Sequence, residues 1–379
     1  MRIRRRDFVK GAGLAAVSFA VTPFSFSQES PRSFDPLNEK GIHPLFEEDH
    51  PYLFIDSCMQ MWPDARFREA HLYGATAYAV TAWDPHSEVD QALEELMFWH
   101  LVARKYPNLV IASNPEDITQ AKKNGKAALL LASQCGDFIG YELHRIEAFY
   151  KLGLRMLVPA YSATNQICSG CLDRTDDGLT SFGKRVVEEC NRVGLLLDGS
   201  HVGLQSSLEI IDASEKPIVF SHSSANAVAS NPRNIADAQI KACAEKRGVI
   251  GLCPWGPLIL KKGMTSRPTL AGFVEHIDHV AQLLGSIDNI GIGTDMSIGT
   301  YPDHEYDPWG SSSYKDVTSA YDEHVTANIR SPLRMVDGFS NYSEVLNLVE
   351  ALKKRGYRDE DVGKILGANY LRVFNEVWA

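Results

Sequence analysis

The chain has 379 residues, 44% hydrophobic and 23% charged, enough for one large globular core or two smaller ones. Its formal net charge of −10 argues against a nucleic-acid-binding surface and is otherwise a statement about solubility. No internal apolar run is long enough for an ordinary membrane span.

At the N-terminus, Arg4-Arg5-Arg6-Asp7-Phe8-Val9-Lys10 is followed by the apolar stretch GAGLAAVSFAVTPF, with small residues from Ser25 to Ser27. This reads as a twin-arginine export signal over residues 1–27, followed by a single folded domain over 28–379. The expected location is periplasmic or exported, with the twin-arginine machinery as a partner. An uncleaved signal would instead tether the protein to the membrane. Seven cysteines in an exported chain permit disulfides. Cys168 and Cys171 form a C-x-x-C without a second pair at zinc-ribbon spacing, and read as a local disulfide or ordinary thiols. Cys190 and Cys243 fall in helical patterns and read as small core hydrophobes.

Eight apolar runs follow as predicted strands, at 52–56, 75–83, 127–133, 155–161, 195–199, 217–222, 248–254 and 289–295. Amphipathic helical patterns lie between them, including 87–105, 141–153, 181–194, 234–247 and 270–285. Near-continuous apolar strands alternating with helices imply a parallel sheet covered by helices, and eight units imply a closed (β/α)8 TIM barrel. A doubly wound sheet is the alternative, but no Gly-rich phosphate loop follows the first run, FIDSCMQMW. Residues 296–341 break the rhythm as one long loop, of the kind that serves as a lid, binding loop or dimer contact. Asp303 and His304 within it read as solvated. Two amphipathic helical segments, 343–356 and 359–378, close the chain over the barrel.

Parallel β/α barrels carry their chemistry at the C-terminal ends of the strands. There the fifth run leads to His201 in LLLDGSH, the sixth ends on His222 in PIVFSHSS, and the eighth ends on Asp295. Cys58 and Gln60 follow the first run, Gln134 and Cys135 the third, Tyr161 the fourth, and Trp255 lies just past the seventh. His201, His222 and Asp295 make a credible zinc half-shell, because neutral imidazole and carboxylate are ordinary zinc ligands. Alternation places Cys58 and Gln60 on one face, and Cys135 on the face opposite Gln134, where it reads as packing.

The segments LGLRMLVPAYSATN, DGSHV, PIVFSHSSANAVASNPRNIAD, NIGIGTD and GANYLRVF occur in an order that resembles the membrane dipeptidase family of zinc peptidases. The resemblance implies a (β/α)8 barrel with a binuclear zinc site that hydrolyses dipeptides, and a possible homodimer. It assigns His201 and His222 to one zinc, Asp295 to proton handling, and Arg233 to the substrate carboxylate. Trp255 joins Arg233 on the substrate side. The family's other ligands, a His-x-Asp pair and a bridging Glu, are replaced by Cys58-Met59-Gln60 and by Gln134. A further family histidine, which contacts the tetrahedral oxygen, is replaced by Tyr161.

Gln60 and Gln134 are neutral and weak ligands where two carboxylates would balance two dications. The expected centre therefore holds a single zinc at most, with His201, His222, Asp295, a Cys58 thiolate and Gln134 as candidate ligands. Two functions remain open at this point. One is a mononuclear zinc hydrolase acting on a dipeptide or similar small amide, with Asp295 as general base and acid, Tyr161 as oxyanion donor and Arg233 as carboxylate clamp. The other is a non-hydrolytic relative that binds or helps mature a peptide-like compound in the periplasm.

Overall fold

The computed structural model describes residues 52–60, 67–264, 266–298 and 334–378. The export signal expected over 1–27 lies outside these residues, as does most of the loop expected over 296–341, including Asp303 and His304.

The described strands are β1 (Ile55–Met59), β2 (Ala77–Thr81), β3 (Leu109–Ile111), β4 (Ala127–Ser133), β5 (Leu154–Leu157), β6 (Leu196–Leu197), β7 (Val219–Ser223), β8 (Val249–Leu252) and β9 (Ile290–Ile292). All pair in parallel, in the order β6-β5-β4-β2-β1-β9-β8-β7. The ends of that sheet meet through a parallel bridge between Asp198 and Val219, where Gly199 N donates to Val219 O at 2.7 Å. Eight strands therefore close into the expected barrel, one from each predicted run. The ninth, β3, is an addition outside the barrel. It pairs with Ala127–Leu129 of β4, while β5 takes Leu131–Ser133 further along the same edge.

The barrel interior follows the two-residue period of its strands. Ile55, Ala77, Ala79, Ala128, Leu130, Met156, Leu196, Val219 and Val249 form one buried cluster, separate from the larger one between strands and helices. The C-terminal helix α11 (Asn369–Val377, numbering helices in chain order) joins this inner cluster through Tyr370, Val373 and Phe374, and so plugs the barrel. Tyr370 Oη and Ser57 Oγ hydrogen-bond at 2.6 Å. Residue 291 must be glycine for this plug to fit, because a Cβ there would lie 2.3 Å from the Tyr370 ring.

Of the helices between strands, α4 (Ser181–Val193) shows why the pattern was readable. Thr180 caps its N-terminus through Gly183 N, Val186, Val187 and Cys190 face the core, and Gly194 ends it in the left-handed conformation at φ 83°. Among the described residues, two longer helices and the four-residue helix Gly256–Ile259 had no counterpart among the predicted patterns named above. In α2 (Pro115–Lys123) only Ile118, Ala121 and Lys122 are buried. In α5 (Leu204–Ala213) two of the four buried residues are serines, Ser206 and Ser207, which interrupt the apolar period.

Candidate metal centre

The barrel seam between β6 and β7 carries both histidines. Asp198, fully buried, accepts the backbone N–H of Ser200 at 2.8 Å and of Ser221 at 2.9 Å on the same carboxylate oxygen. Across the seam, His222 N donates to Ser200 Oγ at 3.1 Å. The two histidine-bearing strand ends are thus tied to each other by side chains where the ladder has only a single bridge.

Bulges aim the side chains. From Asp56 to Met59, β1 spends three steps against two on β2, and from Phe220 to Ser223, β7 does the same against β8. Each extra residue reverses the alternation at the rim, by Cys58 in one strand and His222 in the other. His201 and Asp295 leave their strands with φ 67° and 55°, a conformation costing about 1–2 kcal/mol for a residue with a Cβ. Such strain at strand exits accompanies functional sites.

The two imidazoles meet at 2.9 Å between their Nε2 atoms. Arg233 Nε, which can only donate, lies 3.0 Å from His201 Nδ1, so that nitrogen accepts and the ring carries its proton on Nε2. His201 therefore donates to His222, whose Nδ1–H donates to Ser221 Oγ at 2.7 Å. Burial, then Arg233, hold both rings well below the usual imidazole range, with each other's proximity adding to His201. Both are neutral at physiological pH, the form that ligates metal.

Beside this pair, ligand atoms of Cys58, His222 and Asp295 all lie within 4.8 Å of one another, and all three residues are buried. Cys58 Sγ is 3.8 Å from Asp295 Oδ1. Burial raises the Asp295 carboxyl, opposed first by Arg334, then by Arg233 and by hydrogen bonds from Gln60 and Cys58. Burial also lifts the Cys58 thiol well above its ordinary range, with Asp295 adding to the effect. A dication would reverse both penalties. Thiol, imidazole and carboxylate are zinc ligands, and the edge of a zinc tetrahedron is about 3.3–3.7 Å, so the donor set fits an ion with small adjustments. Gln60 Oε1 is also buried here without a hydrogen-bond partner.

The glutamines present nitrogen to this cluster. Gln60 Nε2 donates to Asp295 Oδ1 at 2.9 Å, and Gln134 Nε2 donates to Thr81 Oγ1 at 2.6 Å while lying 3.6 Å from Cys58 Sγ. In this arrangement Gln134, expected as a ligand, is a hydrogen-bond donor beside the cluster. Tyr161 stacks on His201 with ring centroids 4.0 Å apart. It packs against the His201 ring, a contact that the expected oxyanion role did not include. Arg233 is buried and spends three N–H groups on His201, Ser223 Oγ and His222 O, leaving two of its five for a ligand. Trp255 sits at the end of the seventh barrel strand and bridges Met335, with its ring buried. Cys168 and Cys171 are free thiols, and Cys171 N donates to the backbone O of His201 at 2.8 Å.

Three contributors escaped the sequence reading. Arg334 donates to the backbone O of Asp295 and lies 4.0 Å from its carboxylate, arriving from near the end of the long loop, where no periodicity pointed to it. Ser162 Oγ is 2.7 Å from His201 Nδ1, held there by a left-handed backbone with φ 61° that leaves no trace in the sequence. Asp198 stood within LLLDGSH itself.

A closed parallel barrel with a buried cluster of metal-ligating side chains on its C-terminal rim defines a (β/α)8 protein of metal-dependent-hydrolase architecture. The chain belongs to the membrane dipeptidase family, peptidase family M19, whose model matches residues 63–323 and 331–379. It is 26% identical over 297 residues to dipeptidase tcpJ of Claviceps purpurea, covering 77% of this chain and 61% of that protein. Dipeptidase 3 of Rattus norvegicus is also 26% identical, over 311 residues, covering 80% of this chain and 55% of that one. The chain thus spans little more than half the length of these relatives. Among solved structures, an amidohydrolase from Pseudomonas aeruginosa superposes with a TM-score of 0.75 at 28% identity, over 89% of this chain and 99% of that one. A metallopeptidase from Rhodobacter sphaeroides, liganded with a phosphinate mimic of L-Ala-D-Ala, shares the fold with a TM-score of 0.65 at 22% identity, over 88% and 89% of the two chains.

Proposed function

We propose that the protein hydrolyses a dipeptide, or a similarly small amide with a free carboxylate, through a centre holding one zinc ion. The observation that carries this reading is the buried trio of Cys58, His222 and Asp295, with ligand atoms within 4.8 Å of one another and the His201 ring against His222. When bound, the ion supplies Lewis-acid activation of water and of the scissile carbonyl. Asp295, oriented by Gln60 Nε2 at 2.9 Å, takes the proton of the attacking water and returns it to the leaving amine. Tyr161 and Ser162 hold the His201 ring.

Arg233 links the ion to the substrate. With an ion on Nε2, a neutral His201 would carry its proton on Nδ1, where it donates to Ser162 Oγ and no longer accepts from Arg233 Nε–H. The guanidinium is then free to form a bidentate pair with a substrate carboxylate. The test is an assay of the purified, zinc-loaded protein on free dipeptides and on the same dipeptides amidated at the C-terminus. The expected result is turnover of the free forms that is lost in His222→Ala; no turnover of any free dipeptide by the loaded protein overturns the proposal.

One observation favours a second reading. Gln60 and Gln134 direct amide N–H groups at Asp295 and Cys58, so neutral donors satisfy groups that cations could hold. A relative with these replacements can keep the pocket to bind or help mature a peptide-like compound without cleaving it. Tight binding of a dipeptide by a metal-free, inactive protein supports that alternative.

We also propose periplasmic export by the twin-arginine route, on the strength of the Arg5-Arg6-Asp7-Phe8-Val9-Lys10 order. Arg5→Lys with Arg6→Lys should hold the protein in the cytoplasmic fraction, and unchanged export by this variant contradicts the route.

A further inference from the structure

A second group of metal-ligating side chains lies on the same rim, outside the centre described above. His86 follows β2, Cys135 and Asp137 follow β4, and their ligand atoms all lie within 4.8 Å of one another. Cys135 is buried, Asp137 half-buried and His86 exposed, so the group has a solvent-facing side. Sequence alternation assigned Cys135 to packing, but the turn after β4 carries it back to the rim.

The local structure holds these donors in place. Ser133 Oγ donates to Cys135 O at 2.7 Å, fixing the turn that presents the thiol. Gly136 permits that turn, because a Cβ there would lie 2.3 Å from Ile167 Cδ1 and 2.9 Å from Pro159 O. Asn165 Nδ2 donates to Asp137 Oδ1 at 2.9 Å and to Pro159 O at 2.8 Å, which orients the carboxylate and leaves Oδ2 toward His86. His86 Nδ1 stands 3.4 Å from that Oδ2. Zinc bonds of about 2.0–2.2 Å to nitrogen and oxygen give a tetrahedral N···O edge of about 3.4 Å, so these two are already at ligand spacing. An orienting partner on a ligating carboxylate is an ordinary property of built metal sites.

We propose that His86, Cys135 and Asp137 form a second binding site for a zinc-class divalent ion, with a fourth position open to water, that staples the loops after β2 and β4. It is separate from the histidine pair: the Tyr161 ring lies between, 6.0 Å from the His86 ring and 4.0 Å from the His201 ring by centroid. On binding, coordinate bonds form from Nδ1, Sγ and Oδ2. The Cys135 thiol releases its proton to solvent, as does His86 where its ring is charged, so affinity rises with pH. No oxidation or reduction occurs.

The test is cobalt titration of the full-length protein carrying Cys58→Ala and His222→Ala, which dismantles the central cluster and isolates this site from it. The expected result is a thiolate-to-cobalt charge-transfer band that saturates at about one equivalent. Cys135→Ser in that background should abolish the band, and His86→Ala, an exposed and structurally mild change, should weaken cobalt binding at least about tenfold. No band in the parent double variant, or a band indifferent to both substitutions, overturns the proposal. The hydrolytic reading is judged separately, by the dipeptide assay on protein with the central cluster intact.

Discussion

The carboxylate of Asp198 reaches across the closing seam of the barrel and accepts the backbone N–H of Ser221 at 2.9 Å, one residue before His222. The same oxygen holds Ser200, one residue before His201. A short β6 and a single bridge leave little ladder between these strands, so the side chain sets the separation of the two imidazoles.

Asp198→Ala should therefore lower both stability and metal affinity. It strands two buried N–H groups at a cost of about 2–5 kcal/mol in total. Asp198→Asn keeps an acceptor oxygen and should cost less than half as much. Urea denaturation with zinc titration checks both, and equal stability of Asp198→Ala and the parent would remove the clamp from the account.

The glutamines are predicted to limit the centre to one ion. Cys58→His, Gln60→Asp and Gln134→Glu together restore the His-x-Asp and Glu that the family resemblance implies, adding two negative charges. Zinc content of the central cluster, measured in a Cys135→Ser background to remove the second site, should rise from one toward two per chain. A content unchanged by the triple replacement would mean that the rim geometry, and not the ligand set, imposes the limit.

Arg233 should read the substrate carboxylate. Arg233→Met is expected to raise KM for a free dipeptide about 10–100-fold, with a smaller change in kcat, as the loss of a bidentate charged contact implies. Turnover of the C-terminally amidated analogue should be nearly unaffected. A uniform loss on both substrates would instead show that Arg233 matters through its hold on His201.

His276 gives the fold an acid-sensitive element. It is fully buried in α8 (Leu270–Leu284), its Nδ1 accepts Ala225 N at 3.0 Å, and burial first, then Lys261 and His279, lower its pKa from 6.5 to about 3. Between those values the unfolded chain binds a proton that the folded chain refuses. Its contribution is thus complete above pH 6.5 and drains as pH falls toward 3, by up to about 1.4 kcal/mol per pH unit. Asp56, raised by burial from 3.8 to about 6, acts in the opposite sense, losing stability as pH rises across that interval. The difference between parent and His276→Gln isolates the histidine: the variant should lose less stability than the parent between pH 7 and pH 4.5. Parallel curves would contradict the assignment.

Much of this was legible in the chain. Each barrel strand overlaps a predicted run, the first by only Ile55 and Asp56, because a strand buried on both faces is largely apolar, and His201, His222 and Asp295 stood at or just past the ends of such runs. The rest depended on three-dimensional events that leave little trace in periodicity. The extra residues in β1 and β7 reverse the facing of Cys58 and His222 against simple alternation. Arg334 reaches Asp295 from within a segment without pattern, and the turn at Gly136 brings Cys135 to His86 and Asp137. β3 has three residues and borrows only the start of β4, too little for its own signal.

The most direct test of the central claim is a crystal of the zinc-loaded, full-length protein with an anomalous difference map at the zinc edge. The account predicts one peak among His222, Cys58 and Asp295, within bonding distance of His201. Two peaks there, separated by the roughly 3.5–4 Å of a binuclear site, would contradict it, and so would the absence of any peak at that cluster.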